Sequence, residues 1–289
     1  MKIGVNLLLY ATNITKDHLQ LLKAMKEAGA DGVEIPTMEG KVSDYVELGN
    51  ILDDLGLERT SSMAFVTPEQ NPVSDCAKQR QGAVDHLNWL IDCAHAMGST
   101  VMCGPMFQTI GQFTGNGLTE VEFARAAEVL LQVADKAKSA GITLALEPLN
   151  RFECYLLNTL KDAAAFTRRV NHPAVGVLFD TFHANIEEKN MATAIREHGR
   201  GVIRHVHCSA NDRGIPGEDH IPWQGVFSAL HEIGYDGWYV LEAFGRSLPG
   251  LAAATKIWRD MFDDPLDVAR KGIPFVRKMM AERIEFRVK

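Results

Sequence analysis

Five times along this 289-residue chain an amphipathic stretch stops at a glycine and an apolar run begins. The junctions are Glu27-Ala28-Gly29-Ala30-Asp31-Gly32-Val33-Glu34-Ile35, Asp54-Leu55-Gly56-Leu57, Ala96-Met97-Gly98-Ser99-Thr100-Val101, Ser139-Ala140-Gly141-Ile142 and Glu232-Ile233-Gly234-Tyr235-Asp236-Gly237-Trp238. Glycine just past a helix takes the left-handed conformation cheaply, and the chain then turns directly into a strand. Helix, glycine and strand, repeated from end to end, mark successive βα units and a parallel sheet. About eight strands are expected, near residues 2–8, 31–35, 58–65, 100–104, 142–147, 175–180, 202–207 and 237–242. Eight βα units in a chain of this length close into a (β/α)8 TIM barrel. The rival, an open doubly wound sheet, places its ligand near a glycine-rich first βα turn, and no G-x-G-x-x-G follows strand 1 here. No Gly/Ser/Pro-rich linker or charge block divides the chain, so residues 1–289 are expected to form one α/β domain.

Between the strands the apolar period is helical. Ala124, Ala127, Leu131 and Ala134 fall on one face of a helix that opens with a capping box at Thr119 and Glu122. Asn71-Pro72 is the expected start of a long helix running to about Met97. Residues 105–117 after strand 4 and 208–222 after strand 7 are loops of a length usually reserved for lids or binding loops.

The apolar share of 46% and charged share of 23% are those of a soluble globular protein. A formal net charge of -7 and the lack of a long Lys/Arg run argue against nucleic acid as a partner. Five cysteines (76, 93, 103, 154 and 208) form no CxxC pair, which points to reduced thiols and a cytoplasmic setting. The apolar N-terminus is short and has no A-x-A-type cleavage site, so it reads as the first strand rather than a signal peptide. No apolar run approaches the ~18 residues that would span a membrane.

Chemistry enters at four strand ends. Ile142-Thr143-Leu144-Ala145-Leu146-Glu147, Val175-Gly176-Val177-Leu178-Phe179-Asp180, Val202-Ile203-Arg204-His205-Val206-His207 and Trp238-Tyr239-Val240-Leu241-Glu242 each finish on a residue that can bind a metal. A lone carboxylate there would be a solvated loop residue. Four at the same topological position converge on the C-terminal face of a barrel, where such barrels hold their chemistry. Unpaired, they would crowd like charges, and a divalent ion removes that repulsion. Three carboxylates and one His suit an oxygen-preferring divalent ion better than a structural zinc.

Glu147-Pro148-Leu149-Asn150-Arg151-Phe152-Glu153, Leu178 to Glu188 with its Asp180-Thr181-Phe182-His183-Ala184-Asn185 core, His205-Val206-His207, Leu241-Glu242-Ala243-Phe244 and Ile257-Trp258-Arg259-Asp260 are similar to the corresponding segments of the ketose 3-epimerases. That group, of D-tagatose and D-allulose (psicose) 3-epimerases, belongs to the xylose-isomerase-like TIM barrels. The similarity runs over nearly the whole chain and is specific from about residue 142 onward. It implies an isomerase of carbohydrate metabolism that interconverts ketoses at C3 by proton transfer through a metal-stabilised cis-enediolate. It implies one divalent ion, Mn²⁺ with Co²⁺ or Mg²⁺ as alternatives, on Glu147, Asp180, His207 and Glu242. Glu147 and Glu242 would also be the acid/base pair on opposite faces of a keto-sugar, while Glu153, His183 and Arg213 bind its O1/O2 end. Relatives of this kind are commonly homodimers or homotetramers.

Epimerisation needs one carboxylate to take a proton from one face and a second to return it on the other, whereas an aldose-ketose isomerase can manage with one face. Two glutamates on separate strands therefore fit an epimerase better than the isomerase, or than a lyase acting on a 3-keto sugar or glycoside. A metal-dependent endonuclease would want more His ligands and a basic groove. A sugar- or metal-binding scaffold with a dead site is at odds with a complete quartet. Other residues divide evenly between roles. His205 is either a group supporting the site or a hydrogen-bonded core His. Glu34 either lines the site or is structural. His86 and His95 are expected to pack on a helix, and Cys208 to point away from the metal. The departure from the family lies after strand 1. Where many relatives carry Tyr and Trp against the far end of the sugar, this chain has Asn6-Leu7-Leu8-Leu9-Tyr10. Asn6 and the strand-4 loop, with Phe107, Gln108 and Phe113, are then expected to make the distal contacts.

Overall fold

The structure, a computed structural model, describes residues 1–285; positions 286–289 of the expected domain lie outside the described residues. In chain order the elements are β1 (Lys2–Asn6), α1 (Leu19–Glu27), β2 (Gly32–Pro36), α2 (Val42–Asp54), β3 (Glu58–Ser62), α3 (Ala77–Met97) and β4 (Val101–Gly104). They continue as α4 (Glu120–Ser139), β5 (Thr143–Leu146), α5 (Leu160–Val170), β6 (Val175–Asp180), α6 (Thr181–Glu187) and α7 (Met191–His198). The last are β7 (Ile203–Ser209), α8 (Trp223–Glu232), β8 (Trp238–Glu242), α9 (Pro249–Thr255) and α10 (Asp267–Glu285). All strands are parallel and hydrogen-bonded in chain order, and β8 pairs with β1 to close the barrel. The five junction glycines that suggested this architecture all adopt positive φ, from 60° at Gly56 to 91° at Gly29. No helix among the described residues is long and apolar enough to cross a membrane.

Strand alternation sorts residues between two cores. Outward-facing Ile3, Val5, Val33, Ile35, Val206, Tyr239 and Leu241 join the helices in one large apolar cluster, and Leu144 and Leu146 join a second with α3 and α4. Inside the barrel, Val101, Cys103, Ala145, Leu178, Trp238 and Val240 form a smaller cluster. Gly32 leaves room for the indole there, since a Cβ at Gly32 would lie 2.7 Å from Trp238.

One irregularity decides which way β7 faces. Val177 pairs with Ile203, but the register then shifts, so that Leu178 meets His205 and Asp180 meets His207. Arg204 is the extra, exposed residue. Ile203 belongs to the outer core, and without the extra residue His205 and His207 would face outward as well. The bulge turns both imidazoles into the barrel.

Four expectations need correction. Strand 1 stops at Asn6 rather than residue 8, because the Asn6 side chain accepts the Leu8 N–H (2.8 Å) and caps a 3₁₀ turn over Leu7–Leu9. Strand 3 ends at Ser62 instead of residue 65. The long third helix begins at Ala77, since Asn71 caps a local turn through the Val73 N–H (3.4 Å). The capping box of Thr119 and Glu122 is present on α4, but the buried stripe of that helix runs through Ala126, Ala127, Leu130, Val133, Ala134 and Ala137. Leu131 is 52% exposed, because a stripe centred on Leu130 and Val133 buries more apolar surface than one through Leu131.

Candidate active site

Glu147, Asp180, His207 and Glu242 meet at the C-terminal mouth of the barrel, all buried, with one ligand atom of each within 4.8 Å of the others. Ligands of a hard cation sit about 2.0–2.6 Å from it, so atoms this close can share one ion. His207 Nδ1 lies 3.3 Å from Glu242 Oε1, 3.6 Å from Asp180 Oδ2 and 3.7 Å from Glu147 Oε1. It has no hydrogen-bond partner although fully buried, as expected of a nitrogen aimed at a cation. Asp180 also caps α6: its Oδ1 accepts the His183 N–H (3.3 Å), leaving Oδ2 to face the centre. The donor set fits a hard divalent ion.

Without an ion the carboxylates are not equivalent. Burial pushes the Glu147 carboxyl well above the usual range, with His207 opposing and the charges of Glu242 and Asp180 adding to the rise. Burial would do the same to Glu242, but His207 and Arg213 outweigh it and hold that group down. Arg213 donates to Glu242 Oε2 and to Asp180 Oδ2 (3.3 Å). Its guanidinium lies 3.9 Å from the Phe182 ring and 4.8 Å from that of Phe244, and its backbone is left-handed at φ 66°. A non-glycine residue held there is strained, and the surrounding contacts must compensate.

Glu153 and His183 are joined by a residue to which the sequence assigned nothing. Asn150 donates its backbone N–H to His183 Nδ1 (3.0 Å) and its side-chain amide to Glu153 Oε1 (2.8 Å). Burial, reinforced by Arg213, pushes His183 down to about 3, so its imidazole is neutral. Ser209 is a second unassigned member, with Oγ 3.1 Å from Asp180 Oδ2 and 3.4 Å from Glu242 Oε2. Glu34, which the sequence left between lining the site and a structural role, lies 0% exposed beneath the quartet, within hydrogen-bond distance of both His205 and His207. For Asn150 the available signal was its position between two motif glutamates. For Glu34 it was a carboxylate inside an apolar strand.

These groups open onto a cavity of about 520 Å³, lined in part by Glu147, Glu153, His183, His207, Arg213 and Glu242. The rest of the lining is mostly apolar, including Leu8, Met38, Ala64, Val66, Ile110 and Leu251, with Thr12, Glu39, Ser62 and Thr255 among them. Phe107 does not reach it. That ring is fully buried and meets Phe166 edge-on at 6.5 Å, in the core behind the loop. Gln108 is likewise committed, donating to the Gln112 carbonyl and accepting the Tyr155 and Leu156 N–H groups. Phe113 lies against Tyr155 (6.3 Å) in a neighbouring groove. Pro105 and Ile110 are therefore the side chains this loop contributes in place of the expected Phe107. Cys208 faces the outer core, away from the site.

Asn6 lines the cavity floor, but its amide is already occupied. With Oδ1 taken by the Leu8 N–H, Nδ2 must face the carboxylates, and it donates to Glu34 Oε1 (3.0 Å) and Glu242 Oε1 (3.1 Å). Asn6→Asp replaces both donors with a third carboxyl group. Hydrogen bonds to charged groups contribute about 1.5–3 kcal/mol each, so a loss of roughly 3 kcal/mol is expected by urea denaturation at neutral pH. The deficit should shrink as pH falls, because the new group, its pKa raised by its neighbours, becomes a donor when protonated. A deficit independent of pH would count against this.

Fold and site together define a TIM-barrel enzyme with a buried, acidic, metal-capable centre at its catalytic face. A family model described as a xylose isomerase-like TIM barrel matches residues 22–279. A ketose 3-epimerase of Arthrobacter globiformis is 30% identical over 280 residues, covering 96% of each chain. An L-ribulose 3-epimerase of Mesorhizobium japonicum is 30% identical over 95% of this chain and 93% of its own. A D-psicose 3-epimerase from Clostridium cellulolyticum H10, solved with D-tagatose, superposes with a TM-score of 0.88 at 27% identity, covering 97% of this chain and 99% of that one. The chain belongs to the xylose isomerase-like TIM-barrel family and, within it, to the ketose 3-epimerases, carbohydrate epimerases of the isomerase class.

Proposed function

We propose that Glu147, Asp180, His207 and Glu242 hold one divalent ion, Mn²⁺ before Co²⁺ or Mg²⁺, and that Glu147 and Glu242 move the C3 proton of a free ketose. The observation that carries this is the convergence of the four side chains around an unpartnered His207 Nδ1. Bound there, the ion supplies Lewis-acid stabilisation of the negative charge that develops on the ketone oxygen when C3 loses its proton. Glu147 and Glu242 project from strands three places apart around the barrel. Glu242 is fixed by Asn6, Ser209 and Arg213, while Glu147 faces His183 and His207. One carboxylate takes the proton from one face of C3 and the other returns a proton to the opposite face, with roles exchanged in the reverse reaction. Glu153, His183 and Arg213 bind the oxygens at the substrate's C1–C2 end. The names of the matched relatives support epimerisation, and aldose-ketose isomerisation or lyase chemistry is not favoured. The reading extends to a cytoplasmic homodimer or homotetramer; the five cysteines are all free.

The distal wall bears on specificity. An apolar wall offers few partners to distal hydroxyls, and sites without such partners reject analogues only about 10–200-fold. A kinetic panel of D-tagatose, D-fructose, D-allulose and L-ribulose with the Mn²⁺-loaded protein is expected to give kcat/KM values within roughly that range. Preference for one ketose by about a thousandfold would contradict it. No turnover of any would remove the ketose assignment itself.

A further inference from the structure

We infer that Glu34 is a positioning residue that sets the proton on His207 and thereby the affinity of the site for its ion. This rests on the reading of the quartet as the metal site, but concerns a residue outside it. Glu34 faces the barrel interior from β2, level with Asn6 on β1 and Thr60 on β3. A carboxylate buried this deeply is costly unless several donors satisfy it. Five do. Oε1 lies 2.8 Å from His207 Nε2 and accepts from Asn6 Nδ2 (3.0 Å). Oε2 lies 2.7 Å from His205 Nε2 and accepts from Thr60 Oγ1 (2.8 Å) and Cys103 Sγ (3.2 Å).

An ionised carboxylate can only accept, so the arrangement fixes protons as well as positions. Both imidazoles must carry hydrogen on Nε2. On His207 that leaves Nδ1, on the other side of the ring, as the lone pair facing Glu147, Asp180 and Glu242. His205, Thr60 and Cys103 hold Oε2 and so stop the carboxylate from turning. Through Asn6, the same Oε1 also steadies Glu242. One residue thus fixes two members of the quartet from below. Glu34, Cys103, His205 and His207 could themselves hold a metal, since their ligand atoms also lie within 4.8 Å of one another. The positioning role accounts for the direct hydrogen-bond distances from Glu34 to each of the others without a second ion.

Carboxylates that orient a metal-bound histidine typically contribute 10–100-fold in metal affinity. Chelator-treated wild type and Glu34→Gln are therefore to be titrated with Mn²⁺ by calorimetry, with thermal melts to confirm folding. Glutamine keeps the shape but offers one acceptor oxygen and an NH₂ that opposes an imidazole N–H. The expected result is a folded variant with Kd raised roughly 10–100-fold. Equal affinity would overturn the inference, and a lower melting temperature with unchanged Kd would mark Glu34 as merely structural. Failure of the wild type to bind Mn²⁺ would count against the metal reading instead. Should the variant not fold, ¹⁵N NMR of histidine-labelled, Mg²⁺-loaded wild type decides. His207 protonated at Nε2 supports the inference, and an unprotonated Nε2 overturns it.

Discussion

Glu147→Gln and Glu242→Gln are each expected to lower turnover by about 10² or more, the usual contribution of a general acid–base group. Each amide keeps the size of the side chain it replaces but can neither take nor return a proton at C3. Epimerisation uses both faces, so neither glutamate can cover for the other, and both variants should lose the reaction in both directions. Because the two residues are also proposed ligands, metal content has to be measured beside the rate. Glu242 carries the additional contacts with Asn6, Ser209 and Arg213, so its variant should disturb the site more than that of Glu147. Either variant retaining metal and near-normal turnover would end the two-glutamate account.

Removal of divalent ions by a chelator is expected to reduce turnover by about a thousandfold or more. A Lewis acid at a developing oxyanion contributes several kcal/mol, and each 1.36 kcal/mol is a factor of ten. Without the cation, burial pushes Glu147 toward its neutral form, and the charge of Asp180 and Glu242 is opposed chiefly by Arg213, which contacts both. The same reasoning predicts that Mn²⁺ restores activity and raises the melting temperature. A ligand at a hundred times its Kd stabilises the folded state by ~2.7 kcal/mol. Full activity in the chelated, metal-free protein would show that the quartet does not hold a catalytic ion.

The barrel was legible because its signal is local. A glycine after five of the helices, with an apolar run after each, is a property of short segments, and about eight apolar runs leave few topologies. The strand ends at Glu147, Asp180, His207 and Glu242 were legible for the same reason, with the family resemblance supplying their roles. What escaped depends on contacts distant in sequence. Whether Asn6 continues a strand or caps a turn is settled by one side-chain bond to Leu8, and its two carboxylate partners lie 28 and 236 residues away. The bulge at Arg204 that turns His205 and His207 inward leaves no mark in the apolar pattern of β7. Phe107 was expected at the sugar because it follows strand 4 in a loop of binding length. A ring of that size gains more by filling the space beside Phe166, and the smaller Ile110 reaches the cavity instead.

The central claim, proton transfer at C3 by two opposed carboxylates, is tested most directly by running the Mn²⁺-loaded enzyme on D-fructose in D₂O and following the sugars by NMR. The account predicts D-allulose carrying deuterium at C3, with every substituent retained and no aldose formed. An epimer that keeps its original hydrogen at C3, or an aldose or an eliminated product in place of the epimer, would contradict it.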